Sequence, residues 1–441
     1  MKILKILSTR KALEIGRFNK KNFIRKSPLN FENLSNFLIF REGKTNQMDL
    51  YNFFNKKENN EISVTKSALT EQRKKLNPEI FEYMNQEYVK SRYDEVAVKT
   101  ISGTNLIAAG IDGSVFEIPN KEELKNSLGY ISNSSDVNAK VTPRAQVSGV
   151  YDCCNNIMIQ AKIAEYSTSE KELAKQHIIY VKEFFPEQYN EMLFIFDRGY
   201  IGIPLLLFLE ANKGKYLFRL SKTVYKKEIS EMTTNDEIVS IPLTKSRIKD
   251  IKDPEIKKIA EIKEEIKVRI VKVTLDTGET EILLTNIPKE QIDTNKMKEV
   301  YFLRWNIELS YDKLKNKLQI ESFSGHTKLA VEQDFHAQIL LYNMLEDIKS
   351  EANETIANEH KNNTKKYKYE YIVNMNILVG LAKNYLLAMA ITDDLKIRNE
   401  LGDKMLKYLK KNLIAVKPGR KNIRCKFGIK NKYTTNMKRS I

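Results

Sequence analysis

Residues 106–112 read LIAAGID and residues 192–197 read MLFIFD. Each is a short apolar run closed by an aspartate, the pattern of a strand buried on both faces whose last residue meets solvent. Strand ends in α/β sheets are where ligand sites collect. Further β-like runs fall at 115–118, 145–154 and 157–165, and the Asn155-Asn156 pair between the last two suits a tight hairpin. A helical pattern follows over 169–183, and another helix starts near residue 203. Antiparallel strands, a helix and a further strand make an α/β unit rather than a β-sandwich.

On the N-terminal side, residues 1 to about 95 read as a helical module. Leu34, Phe37 and Leu38 form one apolar stripe, and Ile80, Phe81 and Met84 form another. Residues 62–76 suit a short second helix after a turn, as in helix-turn-helix DNA binders although without a Gly at the turn, with plain structural packing as the alternative. On the C-terminal side, runs at 216–220, 237–241, 268–275 and 281–284 read as strands, with Asp276-Thr277-Gly278 as a hairpin loop. The charged run 245–267 reads as a solvated loop or short helix. One long helix is expected from about 294 to 318, with helices beyond it up to a basic tail.

The 441 residues allow two to four domains, and 41% hydrophobic residues exclude collagen-like, mucin-like and wholly disordered chains. Lys and Arg number 74 against 57 Asp and Glu, a formal charge of +17 that favours a polyanionic partner. An A/T-rich coding bias also raises Lys, Asn and Ile, so the position of the charge matters more than its sum. Residues 404–441 carry basic side chains throughout and no acidic one. Three cysteines, Cys153, Cys154 and Cys425, offer neither a disulfide framework nor a CxxC zinc pattern, which points to a reducing compartment. Lys2, Lys5, Arg10 and Lys11 interrupt any signal-peptide core, and Lys383 and Asn384 break the apolar stretch 377–391, so no membrane association is expected.

Asp112 and Asp197 end their runs in Asp112-Gly113-Ser114 and Asp197-Arg198-Gly199, each of which singly reads as a turn. A third element is Tyr301-x2-Arg304-x3-Glu308-x6-Lys315 within YFLRWNIELSYDKLKNKL. At about 100° per residue these four side chains share one helix face, beside an apolar stripe of Leu303, Ile307, Leu314 and Leu318. An ordinary amphipathic helix with an Arg304/Glu308 pair has the same pattern. With the two aspartates added, three carboxylates suit a hard cation such as Mg²⁺, with room left for phosphate oxygens. Two such ions about 4 Å apart stabilise both the attacking and the leaving oxygen of an in-line phosphoryl displacement. Arg304 and Lys315 then hold phosphates, and Tyr301 donates a hydrogen bond to the same backbone. Trp305, the one tryptophan, suits either stacking on an unpaired base or a core position.

These phrases resemble the DDE transposases of bacterial insertion sequences, specifically the insertion-sequence-four family. The resemblance rests on GIDGS around Asp112, FIFDRGY around Asp197, LLTNIP at 283–288, the Tyr-Arg-Glu-Lys signature and Glu321-Ser-Phe-Ser-Gly325, and it covers roughly residues 60–440. It implies an α/β RNase H-like catalytic core, a mixed sheet flanked by helices and interrupted by a β-rich insertion domain. Helical N-terminal and C-terminal regions complete the chain. The expected segments are 1–98 (DNA-binding), 99–213 (core, first part), 214–290 (insertion), 291–350 (core, second part) and 351–441 (basic, helical).

It further implies cut-and-paste transposition. Asp112, Asp197 and Glu308 would be catalytic and would hold two Mg²⁺ ions, with Mn²⁺ as a substitute. Tyr301, Arg304 and Lys315 would contact DNA and steady a hairpin intermediate, with Trp305, Arg198, Arg420 and Lys421 as additional DNA contacts. Related enzymes that flip a base use an aromatic residue in the inserted region; this one has no tryptophan there, so either Trp305, Tyr216 or Phe218 would substitute or flipping would be handled differently. The implied partners are double-stranded DNA with terminal inverted repeats, target DNA and a second copy of the chain in a synaptic homodimer, in the bacterial cytoplasm at the nucleoid.

His177, His326, His336 and His360 form no zinc spacing and read as surface or helix residues, and no phosphate-binding glycine loop or nucleotide cofactor is indicated. Asp152 and Asp312 are further acids able to pair or assist, although Asp312 suits a salt bridge; Tyr311 reads as structural. The competing functions are a divalent-metal nuclease of the same fold that cuts without joining, and a non-catalytic DNA-binding protein derived from a transposase.

Overall fold

The computed structural model describes residues 2–57, 63–132, 141–275, 278–362, 367–392 and 394–417. The chain divides into two compact units, one of residues 88–116 and 128–312, the other of residues 1–87, 117–127 and 313–441.

The first of these units is built on a mixed sheet. Its strands are β1 (Ile107–Glu117), β2 (Tyr130–Ser132), β3 (Val141–Asp152), β4 (Ile157–Glu165), β5 (Met192–Phe196), β6 (Lys215–Leu220), β7 (Asp236–Pro242), β8 (Glu265–Thr274) and β9 (Thr280–Thr285). Their order is β2-β3-β1-β5-β6-β9-β8-β7, with β4 on β3. β3 and β4 are antiparallel, whereas β1, β5 and β6 run parallel. The path β4-β3-β1-β5-β6 is the strand order of an RNase H-like core. Asp152 closes the β3–β4 hairpin by accepting from the backbone N–H groups of Cys154 (2.9 Å) and Asn155 (3.0 Å), and Asn156 takes the left-handed conformation that asparagine tolerates. Its place in this turn, fully buried, makes Asp152 a structural residue.

Three local expectations change in the folded chain. β1 runs unbroken through Asp112-Gly113-Ser114, because sheet pairing overrides a local turn preference. Lys215–Leu220, expected at the start of the insertion, pairs in parallel with β5. β9, β8 and β7 then continue the same sheet from its far side, all antiparallel. Tyr216, Leu217 and Phe218 are fully buried there, and an unpaired edge carrying them would leave both backbone groups and apolar surface open. The loop Asp276-Thr277 lies outside the described residues.

Period-two alternation orients the central strands. Ile107, Ala109 and Ile111 of β1 join Met192, Phe194 and Phe196 of β5 in one core, shared with Ala174, Ile178 and Val181 of the helix Glu170–Phe184 and with Leu206 and Leu209 of the helix Ile203–Ala211. The alternate positions of β1, including Gly110 and Asp112, therefore face the other side.

The second unit contains the helix Phe31–Phe40, capped by the Asn30 side chain on the Asn33 N–H (2.8 Å) and burying Leu34, Phe37 and Leu38 completely. Lys66–Arg73 forms a helix after an N-capping Thr65, as the 62–76 reading allows. The long helix Lys328–Lys361 packs against Phe31–Phe40, and an antiparallel pair, Glu370–Val373 with Leu413–Val416, closes the C-terminal part. Residues 418–441, with Arg420 and Lys421, lie outside the described residues. Among the described residues, no helix is long and apolar enough to cross a membrane.

Candidate active site

The register of β1 on β5 pairs Ile107 with Met192 and Gly110 with Ile195. Two residues further along stand Asp112, in the middle of β1, and Asp197, just past the end of β5, so parallel pairing brings the two aspartates level. Neighbouring strands lie about 4.8 Å apart.

The third acid arrives on the helix Trp305–Asn316. Gly110 lets this helix approach: a Cβ there would lie 3.3 Å from Ile307 Cγ2 and 3.1 Å from Cys153 Sγ. Ile307 is fully buried, Asn306 Nδ2 donates to the Cys153 carbonyl (2.9 Å), and Tyr311 Oη donates to the Asp112 carbonyl (2.9 Å). Three anchors thus set the helix over β1 at Asp112.

The expected single helix from 294 to 318 is broken. Met297–Phe302 is a separate short helix, and the junction closes with i→i+3 bonds from Arg304 N–H to Tyr301 (3.1 Å), Asn306 to Leu303 (3.0 Å) and Ile307 to Arg304 (3.1 Å). A uniform 100° step therefore does not place Tyr301 and Arg304; the tightened turn folds both inward. Tyr301 and Arg304 are buried.

Arg304 is the hub of the site. Its Nη1 lies 3.3 Å from Asp112 Oδ2, and its Nη2 lies 2.6 Å from Glu308 Oε1. The guanidinium also sits 5.8 Å from the centre of the Tyr301 ring, whose hydroxyl donates to Asp197 Oδ1 at 3.4 Å. The three acids are thereby joined through Arg304 and Tyr301. Burial alone would lower the pKa of Arg304, but Tyr301, Glu308 and Asp112 hold it raised. Burial pushes the Tyr301 phenol up to about 12.

Asp112 carries the perturbed carboxyl. Burial raises it to about 6 against the opposing pull of Arg304 and the Gly113 N–H, with Glu308 and Glu170 adding repulsion. A raised carboxyl pKa means the folded state keeps the proton longer than the unfolded chain does. Stability therefore falls as pH rises from the ordinary aspartate value to about 6, and stays reduced above it. Asp112→Asn is accordingly expected to stabilise the metal-free protein at pH 7.5 by about 1–3 kcal/mol, with no gain below pH 4. Thermal unfolding in EDTA at the two pH values checks this; equal melting temperatures at pH 7.5 would refute the charge burial.

The donor chemistry, three oxygen acids beside positively charged groups, fits a hard divalent cation with phosphate. In the present arrangement, among the described residues, no three acidic, histidine or cysteine side chains lie close enough together to hold one ion, because the Arg304 guanidinium stands between Asp112 and Glu308.

The other expected residues fall less uniformly. Arg198 is exposed beside Asp197, and Trp305 is half-buried. Lys315 lies on the same helix but in the second unit, with Nζ 4.0 Å from Glu321 Oε1. Tyr216 and Phe218 are fully buried in the core and cannot stack on a base as they stand. His177 is buried rather than superficial: Nδ1 meets Gln160 Oε1 (2.7 Å) and Nε2 meets Ser148 Oγ (3.1 Å). Burial and nearby Lys162 depress its pKa to about 3, so it is neutral. Glu170, whose carboxylate rests against Gly113, and Tyr200, buried in the loop after Asp197, went unnoticed in the sequence; the local signal was Gly113, a side-chain-free position inside a strand.

An RNase H-like sheet with acids level on two adjacent parallel strands and a third on a helix laid over them defines a class of phosphodiester-processing proteins, and membership can be made more specific. The chain belongs to the transposase DDE domain family, whose model matches residues 110–344. It is 23% identical over 247 residues to the transposase InsG for insertion sequence element IS4 of Escherichia coli (strain K12), a match that spans 55% of this chain and 52% of that protein. The chain thus matches about half the length of that curated relative. Among solved structures it is similar to the piggyBac transposase synaptic complex with hairpin DNA, at a TM-score of 0.42 and 10% identity, over 95% of this chain and 86% of that one.

Proposed function

We propose that this protein is an insertion-sequence transposase that cleaves DNA at terminal inverted repeats and joins the freed 3′ ends to target DNA. Asp112, Asp197 and Glu308 are the acids of the reaction. The observation that carries this reading is the linkage of all three through Arg304 and Tyr301 beside in-register parallel strands.

Asp112, Asp197 and Glu308 would hold Mg²⁺ or Mn²⁺, which when bound would polarise the scissile phosphate and supply a nucleophilic water. Arg304 neutralises Asp112 and Glu308 in the arrangement described and must release at least one of them for a shared ion. Once released, its planar fork is suited to a DNA phosphate, which links loading of the acids to grip on the backbone. Tyr301 orients Asp197 through its hydroxyl. Arg198, exposed at the same strand end, meets the DNA backbone by charge, and Lys315 extends the contact.

The helical N-terminal segment 1–98 binds DNA, as does the basic C-terminal segment with Arg420 and Lys421, and Trp305 is the remaining candidate for base stacking. A hairpin intermediate and a homodimer that pairs two element ends complete the scheme, which operates at the nucleoid.

The test is incubation of the purified full chain with Mg²⁺, end-bearing DNA and a target plasmid, resolved on denaturing gels. Nicked ends, hairpins and joined products are expected, and EDTA abolishes them. Cleavage without joining would replace this reading with a nuclease, and intact DNA bound by the protein would replace it with a regulator.

A further inference from the structure

The segment 15–31, between the helices Arg10–Ile15 and Phe31–Phe40 of the second unit, holds five basic residues, Arg17, Lys20, Lys21, Arg25 and Lys26, and no acidic one. Its loop is built rather than loose. Gly16 admits the Phe31 ring, since a Cβ there would stand 2.3 Å from Phe31 Cε2, and the Phe23 ring meets the same Phe31 edge-on at 5.7 Å between centroids. One buried ring thus gathers both ends of 16–23. The Asn77 N–H donates to the Gly16 carbonyl (3.1 Å), and the Lys75 carbonyl accepts from the Phe18 N–H (3.3 Å) and Asn22 Nδ2 (3.4 Å). The Asn22 N–H donates to the Asn19 carbonyl (2.8 Å) and the Lys21 N–H to Asn19 Oδ1 (2.9 Å), a turn with Lys20 and Lys21 at its tip.

The apolar side chains of this loop supply a second observation. Phe23 holds a left-handed backbone (φ 61°), which costs a bulky residue about 1–3 kcal/mol. Its ring packs on Phe31, whereas the next residue, Ile24, is 68% exposed and Phe18 is 56% exposed. Single exposed apolar residues are ordinary on a surface. Two large ones in a pinned loop, set among five cations, match the chemistry by which proteins enter a DNA minor groove: cations on the phosphates and an apolar wedge between base steps.

We propose that the loop 17–26 grips duplex DNA, its cations meeting the phosphates that border a groove while Phe18 and Ile24 press against the base pairs and bend the duplex. The inference rests on the DNA-binding role proposed above for the segment 1–98 and names the element that performs it, this loop rather than the helix Lys66–Arg73. Charge complementarity selects the partner, because a polyanion repays the gathering of like charges on one short loop by releasing its counterions.

The experiment is gel-shift titration of the full chain on end-bearing duplex DNA from about 50 to 200 mM salt, with a circular-permutation gel reading the bend. Lys20→Gln, Lys21→Gln, Arg25→Gln and Lys26→Gln together are expected to flatten the slope of log affinity against log salt by about 3 to 4, at about 0.9 per phosphate contact. Phe18→Ala with Ile24→Ala is expected to keep that slope, weaken binding about tenfold and abolish a bend of roughly 20° or more. Ile262→Ala, an exposed apolar side chain of the other unit, should behave as the wild type does. Melting temperatures show that each variant is folded. If the charge variant keeps the wild-type slope and affinity, the loop does not meet DNA; the inference is wrong and the transposase reading, which rests on the three acids, stands. If only the apolar variant matches the wild type, the wedge is wrong. Loss of binding to phosphatidylserine vesicles in either variant, with DNA binding unchanged, would assign the loop to a membrane and overturn the inference. If the wild type binds no DNA, both readings fail.

Discussion

Glu308→Gln should lower DNA cleavage by about a thousandfold or more while leaving affinity for end-bearing DNA within a few-fold of the wild type. The expected loss follows from magnitude: ion-assisted stabilisation of a phosphoryl transition state is worth several kcal/mol, and each 1.4 kcal/mol is a factor of ten. Gln keeps the size of the side chain and can still accept a bond from Arg304, so the helix Trp305–Asn316 stays anchored by Ile307, Asn306 and Tyr311. Asp112→Asn and Asp197→Asn should match it. Gel-shift affinity and single-turnover cleavage measured on the same preparations separate chemistry from binding. Cleavage retained within tenfold in any of the three variants would remove that residue from the reaction.

The second large effect lies in the other unit and concerns folding. Asp334 is fully buried on the long helix Lys328–Lys361, with Arg73 Nη2 at 2.9 Å and Arg41 Nη2 at 3.6 Å. The same carboxylate accepts from the Ser324 N–H (2.5 Å), and Arg41 and Asn46 donate to the carbonyls of Ser322 (2.6 Å) and Ser324 (2.8 Å). The phrase Glu321-Ser-Phe-Ser-Gly325 is thus held in place by a buried ionic network. Removing one partner from such a network strands the others; Asp334→Ala is expected to destabilise the protein by about 3–5 kcal/mol. Burial alone would raise this carboxyl, but Arg73, Arg41 and Ser324 hold it below the ordinary range. Its contribution is therefore present above the unfolded aspartate pKa and is lost only as pH falls through the depressed folded value. Urea unfolding of wild type and variant at pH 7 measures the difference, and a change under 1 kcal/mol would contradict the network's structural role.

Glu308 and Asp334 also show how unevenly function and stability were written in the chain. Glu308 stands in a phrase whose residue types already suggest phosphate chemistry. Asp334 looks like any acid on a helix, because its value comes from Arg41 and Arg73, some 290 and 260 residues away.

The amino-acid sequence by itself determined the strands that matter and the aspartates that close their apolar runs. Short apolar runs such as LIAAGID and MLFIFD fit strands buried on both faces, although β1 continues beyond Asp112 to Glu117. The family signature, read from contiguous residues, was equally local. Tertiary structure alone decided that Asp112 and Asp197 stand level, because strand register is set between chain segments and not within either one. It also decided that Arg304 turns inward between two acids, since the break after Phe302 depends on what the helix Trp305–Asn316 packs against. The Glu170 carboxylate came to rest against Gly113 by the same route. A side chain's neighbours across a sheet are fixed by packing over long sequence separations, and no spacing rule along the chain encodes them.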